Sequence, residues 1–295
     1  MRSWRSAITG RPSLSVAMAT YNGERYLPDM LESLAAQTRR PDEMVVRDDG
    51  SEDGTVGIVQ AFARRMPFRV EVITGGPRLG YAQNFVAASG ACSGEVVFFA
   101  DQDDTWRPAK LATVAQHVRR RTPLALFHDF TLQGADGARI ASSYYDLLAE
   151  RGFPPAVALK GCSMAVTRAF IDLWGWPPAD SPVSHDFWVA LLATAFGQRR
   201  NLRDPLIDHR LHGDNASGWI PEESSRAFTV AGDGAGPSRL LIDLVIKPPR
   251  LHAWTRTFLD VLDRRGDALD AEAAQRLRHL LGVNRSRHRA QRRDG

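Results

Sequence analysis

The chain has 295 residues, of which 43% are apolar and 24% are charged, and this composition excludes wholesale disorder, collagen and coiled coil. The net charge is +4, but residues 285–295 alone contribute five Arg and one Asp, so the remaining residues are nearly neutral and do not indicate a nucleic-acid-binding protein. No apolar run approaches the roughly 18 residues of a membrane span, and no secretory signal precedes the first predicted strand, so we expect a cytoplasmic protein.

The first 132 residues alternate short apolar runs with segments of helical periodicity. Strands are predicted over residues 14–19, 43–47, 68–74, 95–100 and 124–132, and helices over residues 24–37, 53–65, 81–91 and 107–121. This alternation predicts an α/β fold with a mainly parallel central sheet and helices on both faces. In such a Rossmann-like arrangement, ligands bind beyond the carboxyl ends of the strands.

The pattern is less regular in the second half of the chain. Strands are predicted over residues 161–167 and 198–210, and a helix over residues 184–196. We expect the main domain to cover residues 13–215 and a Gly-, Ser- and Pro-rich linker to follow over residues 216–237. Residues 238–284 are predicted to form a small C-terminal helical extension, and residues 285–295 a disordered basic tail.

Two acidic clusters follow predicted strands of the same sheet. Asp48 and Asp49 follow the second strand, and a capped turn does not explain two adjacent carboxylates, which repel each other and suit a site that meets donors or cations. Asp101, Asp103 and Asp104 follow the fourth strand, and in an extended chain the first two would share one side. This second cluster is either a solvated acidic turn or a site for Mg²⁺ or Mn²⁺, which prefer carboxylate oxygens and are completed by substrate phosphates.

Two further segments contain candidate catalytic groups. Asp186 opens a predicted helix, where it either meets the helix dipole or acts as a general base. His209, Arg210 and His212 lie in a turn that is either a satisfied surface turn or a source of metal and phosphate ligands.

These motifs resemble, in type and in order, those of the family 2 glycosyltransferases with a GT-A fold. The matching segments are SVAMATYNG at 15–23, DDGSEDGT at 48–55, LG with NF over 79–85, and DQDD at 101–104. The forms DQDDTW at 101–106, HDFW at 185–188 and HRLHGDN at 209–215 are most similar to the rhamnosyltransferase-like subgroup. That subgroup commonly has an aromatic residue where His209 stands.

The resemblance implies roles for individual residues in donor binding. The nucleotide pocket would be lined by Thr20, Tyr21, Asn22, Asp48, Asp49 and Asp101. Asp49 would accept a hydrogen bond from the base, and Asp103 would hold Mg²⁺ or Mn²⁺ on the diphosphate, with His212 as a second metal-binding residue.

The resemblance also implies roles in catalysis and acceptor binding. Asp186 would deprotonate the acceptor hydroxyl. Four residues would lie near the sugar and the acceptor: Gly161, Cys162, Ser163 and His185.

The implied activity is metal-dependent, inverting transfer of a sugar from a nucleoside diphosphate donor to a hydroxyl of a glycan or lipid-linked acceptor in cell-surface polysaccharide synthesis. The best candidate donor is dTDP-rhamnose. The alternatives are a UDP-hexose-dependent glycosyltransferase and a catalytically silent scaffold that binds a sugar nucleotide. The C-terminal region either packs on the domain or contacts the inner face of the plasma membrane.

Overall fold

The computed structural model describes residues 10–213, except 154, 156, 157 and 182, together with residues 215 and 275. The predicted linker at 216–237, the helical extension at 238–284 and the tail at 285–295 lie outside the described residues, apart from residue 275. Within the described part, no helix is both long and apolar enough to span a bilayer.

A nine-stranded sheet forms the centre of the described structure. Its strands are β1 (Leu14–Thr20), β2 (Glu43–Asp48), β3 (Arg69–Ile73), β4 (Val96–Ala100), β5 (Thr105–Trp106), β6 (Ala125–Gly134), β7 (Arg139–Ala141), β8 (Met164–Thr167) and β9 (Arg199–Leu211). The helices are α1 (Leu27–Ala35), α2 (Thr55–Arg65), α3 (Tyr81–Ala91), α4 (Lys110–Gln116), α5 (Tyr144–Glu150), α6 (Arg168–Trp174) and α7 (His185–Ala195).

The strand order is β3-β2-β1-β4-β8-β6-β9-β5, with β7 paired to β6. Strands β3, β2, β1 and β4 are parallel, as the sequence predicts for the first half. Strand β8 lies antiparallel between β4 and β6, and β5–β9 and β6–β7 are also antiparallel, so the whole sheet is mixed rather than mainly parallel. The difference arises in the second half, where β8 enters the sheet antiparallel to both β4 and β6, although β6 and β9 are parallel. The short connection from β6 to β7 is of the kind that antiparallel neighbours allow. The predicted α/β fold of the GT-A type is confirmed.

Helices cover both faces of the parallel half, which explains why its strands are continuous apolar runs. In β1, Val16 and Met18 pack into the layer that contains α1 and α2, whereas Ala17 faces the layer that contains α3 and α7. Both faces of the strand are therefore buried. This burial fixes the register of β1 against β2 and β4, which brings the carboxyl ends of the three strands to one edge.

Candidate active site

The ends of β1 and β2 are held together by Asp48. Its Oδ2 accepts hydrogen bonds from Thr20 Oγ1 at 2.8 Å and from Ser51 Oγ at 2.6 Å. Its Oδ1 accepts from the backbone amides of Gly50 and Ser51. Both carboxylate oxygens therefore serve the turn, and Asp48 shapes the floor of the predicted nucleotide pocket.

The turn after β1 is fixed by Gln102, which belongs to the second acidic cluster. Its Oε1 accepts a hydrogen bond from the Tyr21 amide at 2.9 Å, and its Nε2 donates to the Tyr21 carbonyl at 3.0 Å. A Cβ at Gly23 would lie 2.3 Å from Gln102 Oε1, so a larger residue there would displace the Gln102 side chain from these hydrogen bonds. Asn22 adopts a positive φ of 45°, and its Oδ1 accepts from the Glu52 amide. The sequence analysis assigned no role to Gln102. The sequence signal for this contact was Gly23, which leaves room for the Gln102 side chain.

Asp49 lies beside Asp48, and both of its carboxylate oxygens accept hydrogen bonds from other groups of the protein. Its Oδ1 accepts hydrogen bonds from Arg47 at 2.8 Å and from the Leu79 amide at 2.7 Å, and its Oδ2 accepts from the Gly80 amide at 2.8 Å. Burial would raise the pKa of Asp49, but the two amides and the Arg47 charge outweigh burial and lower it. In this structure Asp49 therefore holds the loop before α3, while the resemblance assigns it to the base.

Tyr21 stacks with an arginine that sequence reasoning did not select. The Arg78 guanidinium carbon lies 3.7 Å from the centroid of the Tyr21 ring. This contact joins the turn after β1 to the loop that Asp49 holds, so both loops border the same crevice.

The second acidic cluster is compact. Residues 102 and 103 form a turn, so the chain is not extended here and all three carboxylates, those of Asp101, Asp103 and Asp104, offer an oxygen within 4.8 Å of one another. Burial and the neighbouring carboxylates raise the pKa of Asp101 to about 7. Burial and the charge of Asp104 also raise the pKa of Asp103, against a hydrogen bond with His212 that lowers it.

Asp104 points into the core and pairs with His209, a pair that sequence reasoning missed. His209 Nδ1 lies 2.7 Å from Asp104 Oδ1, and both side chains are buried. Burial would lower the pKa of His209, but the charge of Asp104 and its hydrogen bond raise it. For Asp104 burial would raise the pKa, and the His209 charge lowers it. The two residues therefore form a buried hydrogen-bonded pair that anchors β9 to the acidic turn.

The backbone of Cys162 is tied to this region by Lys110. The fully buried Lys110 donates through Nζ to the Cys162 carbonyl at 2.8 Å and lies 3.6 Å from the centroid of the Trp106 ring. Cys162 Sγ is 3.8 Å from His209 Nδ1. Ser163, in the same 3₁₀ turn, donates through its hydroxyl to the carbonyl of Lys160. The predicted acceptor-side segment thus packs directly against the acidic turn.

Asp103 faces the turn that follows β9. His212 Nε2 lies 2.8 Å from Asp103 Oδ2, and Asn215 Nδ2 donates to the same oxygen at 3.3 Å. Imidazole nitrogen and carboxylate oxygen are both suitable ligands for Mn²⁺. Burial and the charge of Asp104 raise the pKa of both Asp101 and Asp103, and a bound divalent cation would offset both effects. The carboxylates of Asp101, Asp103 and Asp104 therefore lie close enough together to share one ion, and His212 lies against Asp103.

Asp186 opens α7, and its position is fixed locally. Its Oδ1 accepts from Ser184 Oγ at 2.5 Å and from the Phe187 amide at 2.8 Å. A Cβ at Gly161 would lie 3.0 Å from His185 Nε2 and 3.7 Å from Asp186 Cβ, so the 3₁₀ turn and the start of α7 are in close contact. The structure therefore brings Gly161, His185 and Asp186 together.

The His185 ring is buried in an aromatic environment beneath this contact. Its centroid lies 4.7 Å from that of Phe85 and 5.5 Å from that of Phe99. Burial lowers the pKa of His185 despite the opposing charge of Asp186, so the ring is neutral near pH 7. His185 therefore supports the helix that carries Asp186.

Tyr81 connects Asp186 with the acidic cluster. Its ring is half exposed at the first residue of α3. Burial of the phenol and the negative charges of Asp186 and Asp101 all raise the pKa of Tyr81. The Tyr81 hydroxyl is hydrogen-bonded to Ser184, which donates to Asp186, so the start of α3 lies against the start of α7.

Several known proteins are similar to this chain in sequence or in fold. The family described as Glycosyl transferase family 2 matches residues 15–144. An uncharacterised glycosyltransferase of Nostoc sp. is 28% identical over 220 residues, which are 68% of this chain and 66% of that relative. The chain spans about two thirds or less of the length of the first curated relatives that it matches.

Two solved structures share the fold at low identity. The structure of Staphylococcus aureus TarS in complex with UDP-GlcNAc has a TM-score of 0.56 and 20% identity, and the match covers 92% of this chain and 90% of that one. The mannosyltransferase PcManGT from Pyrobaculum calidifontis, in complex with GDP-Man and Mn²⁺, has a TM-score of 0.55 and 21% identity over 90% of this chain and 79% of that one. The chain therefore shares its α/β fold with these two structures, and residues 15–144 match the family described as Glycosyl transferase family 2.

Proposed function

We propose that this protein is a metal-dependent, inverting glycosyltransferase that uses a nucleoside diphosphate sugar as donor. The observation that carries the proposal is the acidic cluster at the carboxyl end of β4, in which Asp101, Asp103 and Asp104 each offer an oxygen within 4.8 Å of the others. A base beside a cation-binding acidic turn is the arrangement that sugar transfer from a diphosphate requires.

In the proposed reaction, Asp186 removes the proton from an acceptor hydroxyl. The hydroxyl oxygen forms a bond to the anomeric carbon of the donor sugar as the bond from that carbon to the diphosphate oxygen breaks. Oδ1 of Asp186 is held by Ser184 and by the Phe187 amide, so the carboxylate is oriented before the acceptor arrives. The cation supplies charge neutralisation for the departing diphosphate, and Asp101, Asp103 and His212 are the residues that would hold it.

The donor that we propose is dTDP-rhamnose. The proposal is supported by the DQDDTW, HDFW and HRLHGDN segments, which resemble those of rhamnosyltransferase-like proteins. A UDP-hexose is the competing donor. A silent sugar-nucleotide-binding scaffold is disfavoured because Asp103 and Asp186 are both present at the crevice.

We propose a hydroxyl of a glycan or a lipid-linked intermediate in cell-surface polysaccharide synthesis as the acceptor, and the cytoplasmic side of the plasma membrane as the site of action. The five arginines within residues 285–295 would favour contact with anionic lipid. Flotation of the full chain with anionic liposomes, compared with a chain that ends at residue 236, tests this contact. Equal flotation of both forms would contradict it.

The donor is tested by thermal unfolding of the purified protein with dTDP-rhamnose, UDP-glucose, UDP-GlcNAc and GDP-mannose, each with and without Mn²⁺. A ligand at about 100 times its Kd stabilises the folded state by about 2.7 kcal/mol. For a domain of this size that corresponds to a rise in Tm of roughly 5 to 11 °C. We expect the largest Mn²⁺-dependent rise with dTDP-rhamnose, followed by release of dTDP when a rhamnose acceptor is supplied.

The variants Asp103→Ala and Asp186→Ala separate binding from chemistry. We expect Asp103→Ala to lose the Mn²⁺-dependent part of the donor shift, and Asp186→Ala to keep that shift while losing transfer. A UDP-selective shift would replace the donor, and the absence of any shift would favour the silent scaffold. Normal transfer by Asp186→Ala would remove that residue from the mechanism.

A further inference from the structure

Tyr26, at the start of α1, lies against His212 in the turn that follows β9, 186 residues further along the chain. Its ring centroid is 4.8 Å from that of His212, and the Arg210 guanidinium carbon lies 4.7 Å from the same centroid. Arg25 contacts the ring at 4.8 Å. Tyr26, Arg210 and His212 are called the tyrosine clamp below.

Arg210 is fully engaged by this clamp and by the acidic turn. Its Nε donates to the Asp103 carbonyl, one of its terminal nitrogens donates to Asp29 Oδ2, and its backbone amide donates to Asp104 Oδ1, each at 3.2 Å. From the sequence alone, Arg210 is a candidate phosphate ligand. The contacts show instead that its guanidinium binds α1 and the acidic turn to each other.

His212 is held on three sides. Its ring stacks on Tyr26, its Nε2 lies 2.8 Å from Asp103 Oδ2, and its backbone amide donates to Asn215 Oδ1 at 2.5 Å. A histidine ring on a turn rotates freely unless packing restricts it. Contact with Tyr26 therefore fixes the direction in which Nε2 points.

We propose that Tyr26 is a positioning residue for the divalent cation: its ring holds His212 so that Nε2 is presented, together with the Asp103 carboxylate, to one ion. This inference rests on the metal dependence in the proposed function. The ring does the positioning, because the buried Tyr26 hydroxyl has no hydrogen-bond partner among the described residues. Residues that orient metal ligands change metal affinity typically 10–100-fold when they are replaced.

The test is a titration of the full chain with Mn²⁺ in the absence of any nucleotide. The electron paramagnetic resonance signal of free Mn²⁺ reports how much of the metal is bound. We expect Tyr26→Leu to weaken Mn²⁺ binding about 10-fold or more. Tyr26→Phe keeps the ring and removes only the unpartnered hydroxyl, so its affinity should match that of the wild type. Phe62→Leu is the matched control, because Phe62 is a buried aromatic residue of α2 that packs against Phe68, away from the clamp.

These measurements test the tyrosine clamp independently of glycosyl transfer, because they record metal binding and not turnover. Equal Mn²⁺ affinity in wild type and folded Tyr26→Leu would overturn the inference, and so would an equal loss in Phe62→Leu or in Tyr26→Phe. If Tyr26→Leu does not fold, Tyr26→Met takes its place, because methionine keeps a long apolar side chain and removes the ring, so affinity should fall. Unchanged affinity in that variant would equally overturn the inference. A wild-type chain that binds no Mn²⁺ would overturn the metal assignment and the clamp together.

Discussion

Replacement of Asp49 by asparagine separates two roles for this carboxylate. The resemblance assigns it to the nucleobase, whereas the structure uses both of its oxygens to hold Arg47, Leu79 and Gly80. Asparagine has one acceptor oxygen, so at least one of the two amides loses its partner, and the buried Arg47 loses its counter-charge. If the structure describes the dominant role, the variant should lose stability even without nucleotide.

The expected loss is large because the ion pair is shielded from water. The side chains of Arg47 and Asp49 are 8% and 3% exposed. Breaking a buried pair from one side costs about 3 to 5 kcal/mol, which lowers the Tm of a domain of this size by roughly 6 to 20 °C. The folded-state pKa of Asp49 is below its unfolded value, so this stabilisation is present above about pH 4 and disappears as the pH falls through the folded pKa.

The assay is thermal unfolding without ligand between pH 3 and pH 8, with Asp146→Asn as the control. Asp146 also pairs with an arginine, Arg203, but both side chains are about two thirds exposed or more, so its loss should cost about 0 to 1 kcal/mol. The gap in Tm between wild type and Asp49→Asn should be constant near neutral pH and close in acid. A variant that keeps the wild-type Tm but no longer binds nucleotide would refute the structural role and restore the base-binding role.

Two further substitutions test the candidate base and the buried lysine. Asp186→Asn keeps an oxygen for Ser184 and the Phe187 amide, so it should lose only about 0.3–1 kcal/mol of helix-dipole stabilisation. Its turnover with saturating donor should fall about 10²–10⁴-fold, and a smaller fall would point to another base. Burial lowers the pKa of Lys110 to about 7. Between pH 7 and the ordinary pKa of lysine, the Lys110 amine is therefore protonated in the unfolded chain but not in the folded one. The free energy of unfolding should rise with pH in this range, by up to about 1.4 kcal/mol per pH unit. Urea unfolding at pH 7.5 and 9 should show this rise in wild type relative to Lys110→Met, and parallel profiles would contradict it.

The sequence predicted the parallel half of the fold well because its signals there are local. Strand β4 is an unbroken apolar run, β1 and β2 contain short apolar runs, and the helix predicted over residues 81–91 has those bounds in the structure. The helix predicted over 107–121 is only Lys110–Gln116. The Arg107 amide donates to the Leu206 carbonyl of β9, so a tertiary contact replaces the first helical turn. No sequence window contains that partner.

The second half was harder to predict because its elements are short. Helices α5 and α6 have seven residues each, too few for periodicity to show. Their start signals are single side chains: Ser143 accepts from the Asp146 amide and Thr167 from the Phe170 amide. The strand predicted from residue 161 begins at Met164, after a 3₁₀ turn.

For the site, topology predicts where the acids lie, but not what each oxygen binds. The rule that ligands bind beyond the carboxyl ends of strands identified both acidic clusters. It could not separate Asp48 and Asp49, whose oxygens are used by nearby amides and side chains, from Asp101 and Asp103. The sequence analysis also did not identify Tyr26, because its partners Arg210 and His212 are distant from it in the sequence.

The three carboxylates that follow β4 have different partners, and this difference indicates which kind of ion the site would bind. Asp104 forms a buried pair with His209, whose pKa it raises, so that pair is neutral overall while the histidine is protonated. Burial and the charge of Asp104 raise the pKa of both Asp101 and Asp103, so ionisation of these carboxylates is unfavourable without a partner. A divalent cation would offset that cost, which supports the proposed metal. The third acid, which looks like a further ligand in the sequence, instead fixes the strand that carries His212 to the ion-binding turn.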